Sequence, residues 1–364
     1  MKKNIDAIYI HIPFCNRKCS YCDFYILTNM AREYDRYVDY IKKEINLYPK
    51  YTYDTVYFGG GTPSVLGIEN IKSIISTLNY TKDAEITLEL NPTNMNLDKL
   101  NELKKLGVNR LSIGIQSFND DILKLMNREH NNADGIKTYY DARKAGFDNI
   151  SLDLIFAVPT QTLEILEHDL DMIEKLNPEH ISIYSLIWEK KSKFYKLLKE
   201  KKIMALSEEL ETKMFLRIIE RLKEMGYEHY EVSSFAKNKL YGRHNVKYWE
   251  NKEFIGVGIS ASSYYDDKRF EKIKKLKTYY EMLDKGIVPV NETTIEIVDE
   301  KERKNLKYIL SLRLLNKGID IAEDKKEIID KLIKRGLLQI INQKVLLTRK
   351  GLLLADTVCI ELMD

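Results

Sequence analysis

The chain has 364 residues, of which 44% are hydrophobic and 31% charged, and its formal net charge is +3. That is the composition of a soluble globular chain, long enough for a sizeable core in one large domain or two. The near-balanced charge argues for neither a nucleic-acid nor a membrane-surface partner. No run approaches ~18 consecutive apolar residues, so no membrane-spanning segment is expected.

The N-terminus, Met1-Lys2-Lys3-Asn4-Ile5-Asp6, leads straight into a strand-like run without an apolar signal region. Residues 7–10 read as the first strand, and Tyr34, Tyr37, Val38, Ile41 and Ile45 recur at helical spacing. Residues 55–58 form a strand ending in Gly59-Gly60-Gly61, followed by a helix marked by Ile68, Ile71, Ile74, Ile75 and Leu78. A strand at 85–90 is stopped by Asn91-Pro92, and a helix through Leu97, Leu100, Leu103 and Leu106 ends at Gly107. Strands at 110–115, 150–158 and 180–186 alternate with helices at 133–145 and 162–176. The remainder is less regular. A long helix is expected at 206–225, strands at 230–235 and 254–259, and a Lys-rich connection at 266–290. The last stretch reads helix (301–314), helix (325–335), hairpin (337–347), helix (350–362), an order resembling a winged helix. With no recognition-helix signature, that module is expected to pack rather than to bind DNA.

Six strands alternating with helices mean parallel βαβ units. A doubly wound sheet and a barrel both fit that order. Cys15, Gly60, Glu89, Gln116 and Asp153 each lie in or just after a different strand, and only a closed or curved sheet gathers so many strand ends around one site.

Three of the four cysteines, Cys15, Cys19 and Cys22, fall within eight residues. A disulfide framework is disfavoured, because only Cys359 lies outside the group and so large a chain needs no staples. The C-x3-C-x2-C spacing is not that of structural zinc, which takes four ligands, although His11 is available as a fourth. Three thiolates suit a [4Fe-4S] cluster whose fourth iron lacks a protein ligand and is open to a small molecule. Reduced cysteines and no export signal together imply the cytoplasm. The glycine run allows a ligand to approach the backbone closely, here the methionine part of S-adenosylmethionine. Glu89, Gln116, Arg128 and Asp153 suit a ligand with an ammonium, a carboxylate and ribose hydroxyls, with Asp153 orienting Arg128. As single residues, each could equally belong to a hydrogen-bonded barrel interior. Tyr9 is close enough in the chain to shape the site, and Tyr21 and Phe24 either shield the cysteine loop or simply pack it. His244-Asn245-Val246-Lys247-Tyr248-Trp249, beside Gly256 and Gly258, could form an aromatic pocket in which one imidazole ligates the iron of a flat macrocycle; a structural histidine is the alternative.

The sequence resembles radical S-adenosylmethionine proteins of the oxygen-independent coproporphyrinogen III oxidase group, and within it the haem-chaperone branch. The resemblance rests on YIHIPFCNRKCSYCDF at 9–24, FGGGTPS at 58–64, ELNP at 89–92 and RLSIGIQSF at 110–118. It continues through Arg128-Glu129-His130, DLIFAVPTQT at 153–162, HISIYSL at 180–186, YEVSSFA at 230–236 and HNVKYW at 244–249. It implies an α/β fold: an incomplete (β/α)6 radical SAM barrel over residues 1–190, a barrel extension with the HNxxYW motif over 191–265, and a linker with a small winged-helix-like C-terminal domain over 266–364. It assigns Cys15, Cys19 and Cys22 to the cluster, and Tyr9, Gly60, Gly61, Thr62, Glu89, Gln116, Arg128 and Asp153 to S-adenosylmethionine. His244 falls in the motif linked to haem. It further implies one-electron cleavage of S-adenosylmethionine to methionine and a 5′-deoxyadenosyl radical, an electron donor, haem as cargo and haem-acceptor proteins as partners. Two departures argue against decarboxylation of coproporphyrinogen. Asp23-Phe24 stands where the oxidases carry a further cysteine, and the first strand begins near residue 5, where they have a long covering extension. Ala157 also stands where many relatives have glycine. Turnover of S-adenosylmethionine stays open, as do two alternatives to the chaperone: the oxidase itself, and a radical enzyme such as a methyltransferase.

Overall fold

The computed structural model describes residues 5–321 and 323–363. Its main sheet contains strands β1 (Ala7–Ile12), β2 (Thr52–Gly60), β3 (Asn79–Leu90), β4 (Arg110–Gln116), β5 (Ile150–Phe156) and β6 (His180–Ser185), then β7 (Glu228–Glu231), β8 (Ser234–Ala236) and β9 (Ile255–Val257). They run in the order β9-β1-β2-β3-β4-β5-β6-β8-β7. All neighbours from β9 to β6 are parallel, and β8 is antiparallel to both β6 and β7. The end strands β9 and β7 have no pairing with each other, so the barrel is incomplete.

Strand residues alternate between two kinds of surroundings. Ile8, Ile10, Val56, Phe58, Ile86, Leu88, Leu111, Ile113, Leu152 and Leu154 pack into one apolar core with helix residues such as Ile41, Ile71, Leu100 and Leu170. The intervening side chains, among them Tyr57, Glu89, Arg110, Ser112, Asp153 and Ser182, line the barrel interior. Burying each large aliphatic contributes about 1.5–3 kcal/mol, so the outward face carries most of the stability and leaves the inner face free for polar groups. The outer layer comprises α1 (Tyr34–Leu47), α2 (Ile68–Ile75), α3 (Leu97–Lys105), α4 (Asp120–Leu125), α5 (Asn132–Lys144) and α6 (Leu163–Leu176). Asn96, Asn119 and Thr162 cap α3, α4 and α6, and Asn131 and Asp134 form a capping box that starts α5 at Asn132.

Beyond the barrel, α7 (Lys193–Lys199), α8 (Glu208–Glu224) and the short α9 (Arg243–Trp249) follow. The expected strand at 230–235 is two short strands, with a register shift between Ser234 and Phe235. The stretch 266–290, expected as a bare connection, holds a strand at Lys268–Glu271 and helix α10 (Leu276–Asp284). Its lysines hid a pattern in which Phe270, Tyr279, Tyr280 and Leu283 are buried. One of those lysines is itself buried. Lys272 pairs with Glu44 of α1 at 2.9 Å with both side chains at 0% exposure. Glu44 also accepts from Gly258 N (2.8 Å) and the Tyr279 hydroxyl (2.5 Å).

Each end strand of the open sheet is covered. Phe254, beside β9, bridges Tyr264, and Gly256 N donates to Ser263 Oγ at 3.0 Å. At the other end Glu231 of β7 bridges Leu314, and Leu315 N donates to Tyr230 O at 2.9 Å. The C-terminal module contains α11 (Glu300–Ser311), α12 (Lys326–Lys334), a hairpin of Leu338–Ile341 and Lys344–Leu347, then α13 (Arg349–Leu353) and α14 (Ala355–Met363). Its own core includes Leu312, Ile329, Leu332, Val345 and Val358, and the single helix expected over 350–362 is divided into α13 and α14 at Leu354. Among the described residues no helix is long and apolar enough to cross a membrane.

Candidate functional site

The cysteine loop leaves β1 and is closed at its base by a short parallel pairing of Phe14–Cys15 with Leu27–Thr28. Ser20 N donates to Met126 O at 2.8 Å and the Asn127 amide to Lys18 O at 2.8 Å, which docks the loop against the segment carrying Arg128. Cys15, Cys19 and Cys22 are free thiols lining a single cavity of about 430 Å³. The same cavity is lined by Gly60, Gly61, Thr62, Glu89, Gln116, Arg128 and Asp153. Burial pushes the Cys22 thiol up to about 11 and raises that of Cys15, so both stay protonated without a cation. Arg128 Nη1 donates to Cys19 Sγ at 3.4 Å, and Thr62 Oγ1 lies 3.4 Å from Cys15 Sγ. Iron supplies the charge that such thiols need to ionise, so three free thiols around one cavity fit a cluster's donor set.

The glycine run sits where neighbouring groups leave no room for a side chain. Gly60 has φ +109°, and a Cβ there would lie 2.6 Å from the His11 ring. A Cβ on Gly61 would meet Phe14 O at 2.7 Å. Gly60 N donates to Glu89 Oε2 at 3.2 Å, and the Tyr57 hydroxyl donates to Oε1 at 2.7 Å. Burial raises Glu89 to about 7, with Asp153 pushing the same way. A ligand ammonium would restore its charge at neutral pH.

Asp153 does not orient Arg128 as expected. Its carboxylate accepts from Ser112 Oγ (2.5 Å) and Ser151 Oγ (2.9 Å), the hydroxyls adjacent to it across the sheet and along its own strand. Arg128 is instead fixed by Gly114 O (2.6 Å) and Asn91 Oδ1 (3.1 Å), and Asn91 in turn lies 3.1 Å from His130 Nδ1. Gln116 sits in the left-handed region at φ 68°, after a register shift in β4. Asp169 of α6 holds the turn that follows, accepting from Ser117 Oγ at 2.9 Å and Phe118 N at 2.6 Å.

Tyr9 and His244 lie outside the cavity lining. The Tyr9 hydroxyl is 3.1 Å from His11 Nδ1, and its ring stacks on Tyr57, which does face the cavity. His244 belongs to α9, which closes the floor of the barrel. Glu85 accepts from the backbone N–H groups of Arg243 and His244 at 3.1 Å each, a carboxylate at a helix N-terminus. Lys247 pairs with Asp6 (2.6 Å) and Asp54 (2.5 Å) at the starts of two strands. His244 is 1% exposed, its Nδ1 is 2.9 Å from Thr55 Oγ1, and its Nε2 is 2.7 Å from the Tyr248 hydroxyl. Burial drives it down to about 3, so the ring is neutral with both nitrogens engaged. The neighbouring Asn245 lines the cavity instead. Tyr21 packs inward with its hydroxyl 3.5 Å from Arg128 Nη1, while Phe24 is 63% exposed at the cavity edge.

Tyr57, Asn91, Arg110, Ser112, Ser182 and Tyr184 line or support the site without having been singled out, and Asn245 lines it from the motif singled out for His244. The signal for most of them is the period of two in Glu85-Thr87-Glu89, Arg110-Ser112-Gly114 and His180-Ser182-Tyr184.

Residues 9–173 match the Radical SAM superfamily. The haem chaperone HemW of Bacillus subtilis is 34% identical, over 97% of each chain. The chain belongs to the HemW family of radical SAM proteins. HemW of Lactococcus lactis is 30% identical over 95% of this chain and 92% of its own. The solved radical SAM enzyme coproporphyrinogen III oxidase (HemN) of Escherichia coli superposes with a TM-score of 0.84 at 25% identity, covering 99% of this chain and 90% of the other. Membership of the HemW family implies a [4Fe-4S] cluster and S-adenosylmethionine, which the three thiols and the glycine wall are suited to hold.

Proposed function

We propose that this chain is a cytoplasmic haem chaperone that binds haem and passes it to acceptor proteins. Cys15, Cys19 and Cys22 hold the cluster, and Gly60, Gly61, Thr62, Glu89, Gln116, Arg128 and Asp153 hold S-adenosylmethionine, with Tyr9 supporting their wall. When bound and reduced by an electron donor, the cluster supplies one electron for cleavage of S-adenosylmethionine. The observation that carries the choice of function is the place of Asp23 and Phe24. Both line the cavity, at the point where the oxidases are expected to bring another thiol. Phe24 and Ile187, 63% and 67% exposed, add an apolar edge suited to a flat macrocycle.

The overlap with the Escherichia coli oxidase favours a second reading, oxidation of coproporphyrinogen. One pair of assays separates the two. Anaerobically reconstituted protein is given S-adenosylmethionine, reductant and coproporphyrinogen, and in parallel is loaded with haem and mixed with a haem-free acceptor. Haem transfer without protoporphyrinogen formation is the expected result. Protoporphyrinogen formation overturns the chaperone reading.

A further inference from the structure

The floor of the cavity holds a charge without a direct partner. Arg110 opens β4, is 2% exposed and lines the cavity. Its Nε is buried without a hydrogen-bond partner, and among the described residues no ion pair engages its guanidinium. A guanidinium carries five N–H donors, and a buried polar group left unmet costs about 1–3 kcal/mol. Native interiors rarely keep such a group without a use for it.

The neighbouring acids do not meet that need. Glu85 accepts from the first turn of α9, Asp153 from two serines, and Glu89 from Tyr57 and Gly60. They act on Arg110 only through space, where Glu85 and Asp153 help hold its charge against the cost of burial. Asn245 lines the same cavity from α9. Four residues further along β4, roughly 13 Å at strand rise, Gly114 O fixes Arg128 beside Cys19. The cavity thus has a guanidinium at each end. Arg128 meets protein acceptors through Nη1 and Nη2 although its Nε is unmet, whereas among the described residues no hydrogen bond or ion pair engages any nitrogen of Arg110.

We propose that the cavity floor is a carboxylate subsite, in which the guanidinium fork of Arg110 receives a ligand carboxylate and the Asn245 amide donates beside it. The inference rests on the proposed function, which offers a carrier of that chemistry in the haem propionates, the amino-acid end of S-adenosylmethionine being assigned to the glycine wall beside Glu89. A planar fork matches a carboxylate in two parallel bonds, which a lysine ammonium cannot reproduce.

The test uses the reconstituted full chain as wild type, Arg110→Lys, Arg110→Met and Asn245→Ala, each checked for iron content and melting temperature. Each is titrated with S-adenosylmethionine, with haem and with haem dimethyl ester. Arg110→Lys keeps the buried charge, so it serves even where Arg110→Met fails to fold. At least a tenfold loss of haem affinity in Arg110→Lys is expected, with a smaller loss in Asn245→Ala. If the partner is a propionate, wild type binds the ester as weakly as the variant binds haem. If haem affinity holds and only that of S-adenosylmethionine falls, the propionate subsite is overturned. Folded Arg110 variants that bind both ligands like wild type overturn the subsite and leave Arg110 a counter-charge to the acids. Wild type that binds neither ligand sinks the functional reading, and the subsite with it.

Discussion

The two ends of the barrel cavity are built on opposite terms. At the cysteine end, reactive groups meet the protein loosely: Cys15 and Cys19 have neighbours at 3.4 Å, and three thiols remain free. At the floor, α9 is pinned by Glu85, by the pairing of Lys247 with two aspartates, and by both nitrogens of His244. Loose ends mark where a ligand completes the structure, closed networks mark where the protein has completed itself, and on the cavity side of the floor Arg110 is a group that the network leaves open. Adjacent residues can fall on opposite sides of that line. His244 is locked and Asn245 opens into the cavity, because successive helix residues point about 100° apart.

The largest test of this contrast is at the cysteine end. Cys19→Ala is expected to abolish the cluster, read as loss of iron, sulfide and visible absorbance. Cys359→Ala should leave all three unchanged, because Cys359 sits in α14 with its thiol 3.7 Å from Ile309 O. Full iron in Cys19→Ala would remove that residue from the ligand set. Gly60→Ala comes next. Its φ of +109° and the 2.6 Å approach to His11 predict at least a tenfold weaker S-adenosylmethionine complex, about 1.4 kcal/mol, by calorimetric titration. Equal affinity would move the ligand away from the glycine wall.

At the floor, His244→Ala should cost about 2–4 kcal/mol in urea unfolding, from lost packing and two unmet hydroxyls. Its haem affinity should stay at the wild-type value; a folded variant with weakened haem binding would make the floor part of the cargo site through His244 itself. The buried histidines also set the acid response. His11, His130, His229 and His244 are lowered to about 4, 3, 4 and 3 from an ordinary 6.5, each chiefly by burial. The unfolded chain then binds more protons, so stability present above pH 6.5 is lost as the pH falls towards 4. Glu89 and Asp169, raised by burial from an ordinary 4.5 and 3.8 to about 7, act the other way across those intervals but are outnumbered. Urea midpoints at pH 7 and pH 5 should therefore differ, and the gap should narrow in His244→Gln. The smallest effect belongs to Ala157, which holds φ 60°. Ala157→Gly should gain about 0.5–1 kcal/mol by relieving left-handed strain, and a loss would show that the alanine methyl is needed where it packs.

The βα alternation, the cysteine loop and the glycine wall were legible because each is local: a spacing, a run, a turn. The inner face was only partly legible. Glu89, Gln116 and Asp153 stood out as polar residues in or just after apolar strands, but the same alternation that carries Arg110, Ser112 and Ser182 passed unused. The positive φ of Gln116 and Ala157 could not be read, although the place of Ala157, where relatives have glycine, is explained by it. His244 was misleading for a physical reason. A histidine among aromatics looks the same in sequence whether its nitrogens face a ligand or, as here, Thr55 and Tyr248. The 266–290 stretch looked solvated because the pairing of Lys272 with Glu44 spans 228 residues, beyond any local pattern.

An incomplete barrel leaves two strand edges, and unpaired edges are templates for other chains. Tyr264 covers one beside β9, and Leu314 and Leu315 cover the other at β7. The C-terminal module therefore closes the β7 edge against pairing with another chain. A chain cut before residue 313 would keep its thiols and its glycine wall, yet expose Tyr230 and Glu231 as a free edge, and its failure would appear as aggregation rather than as lost chemistry.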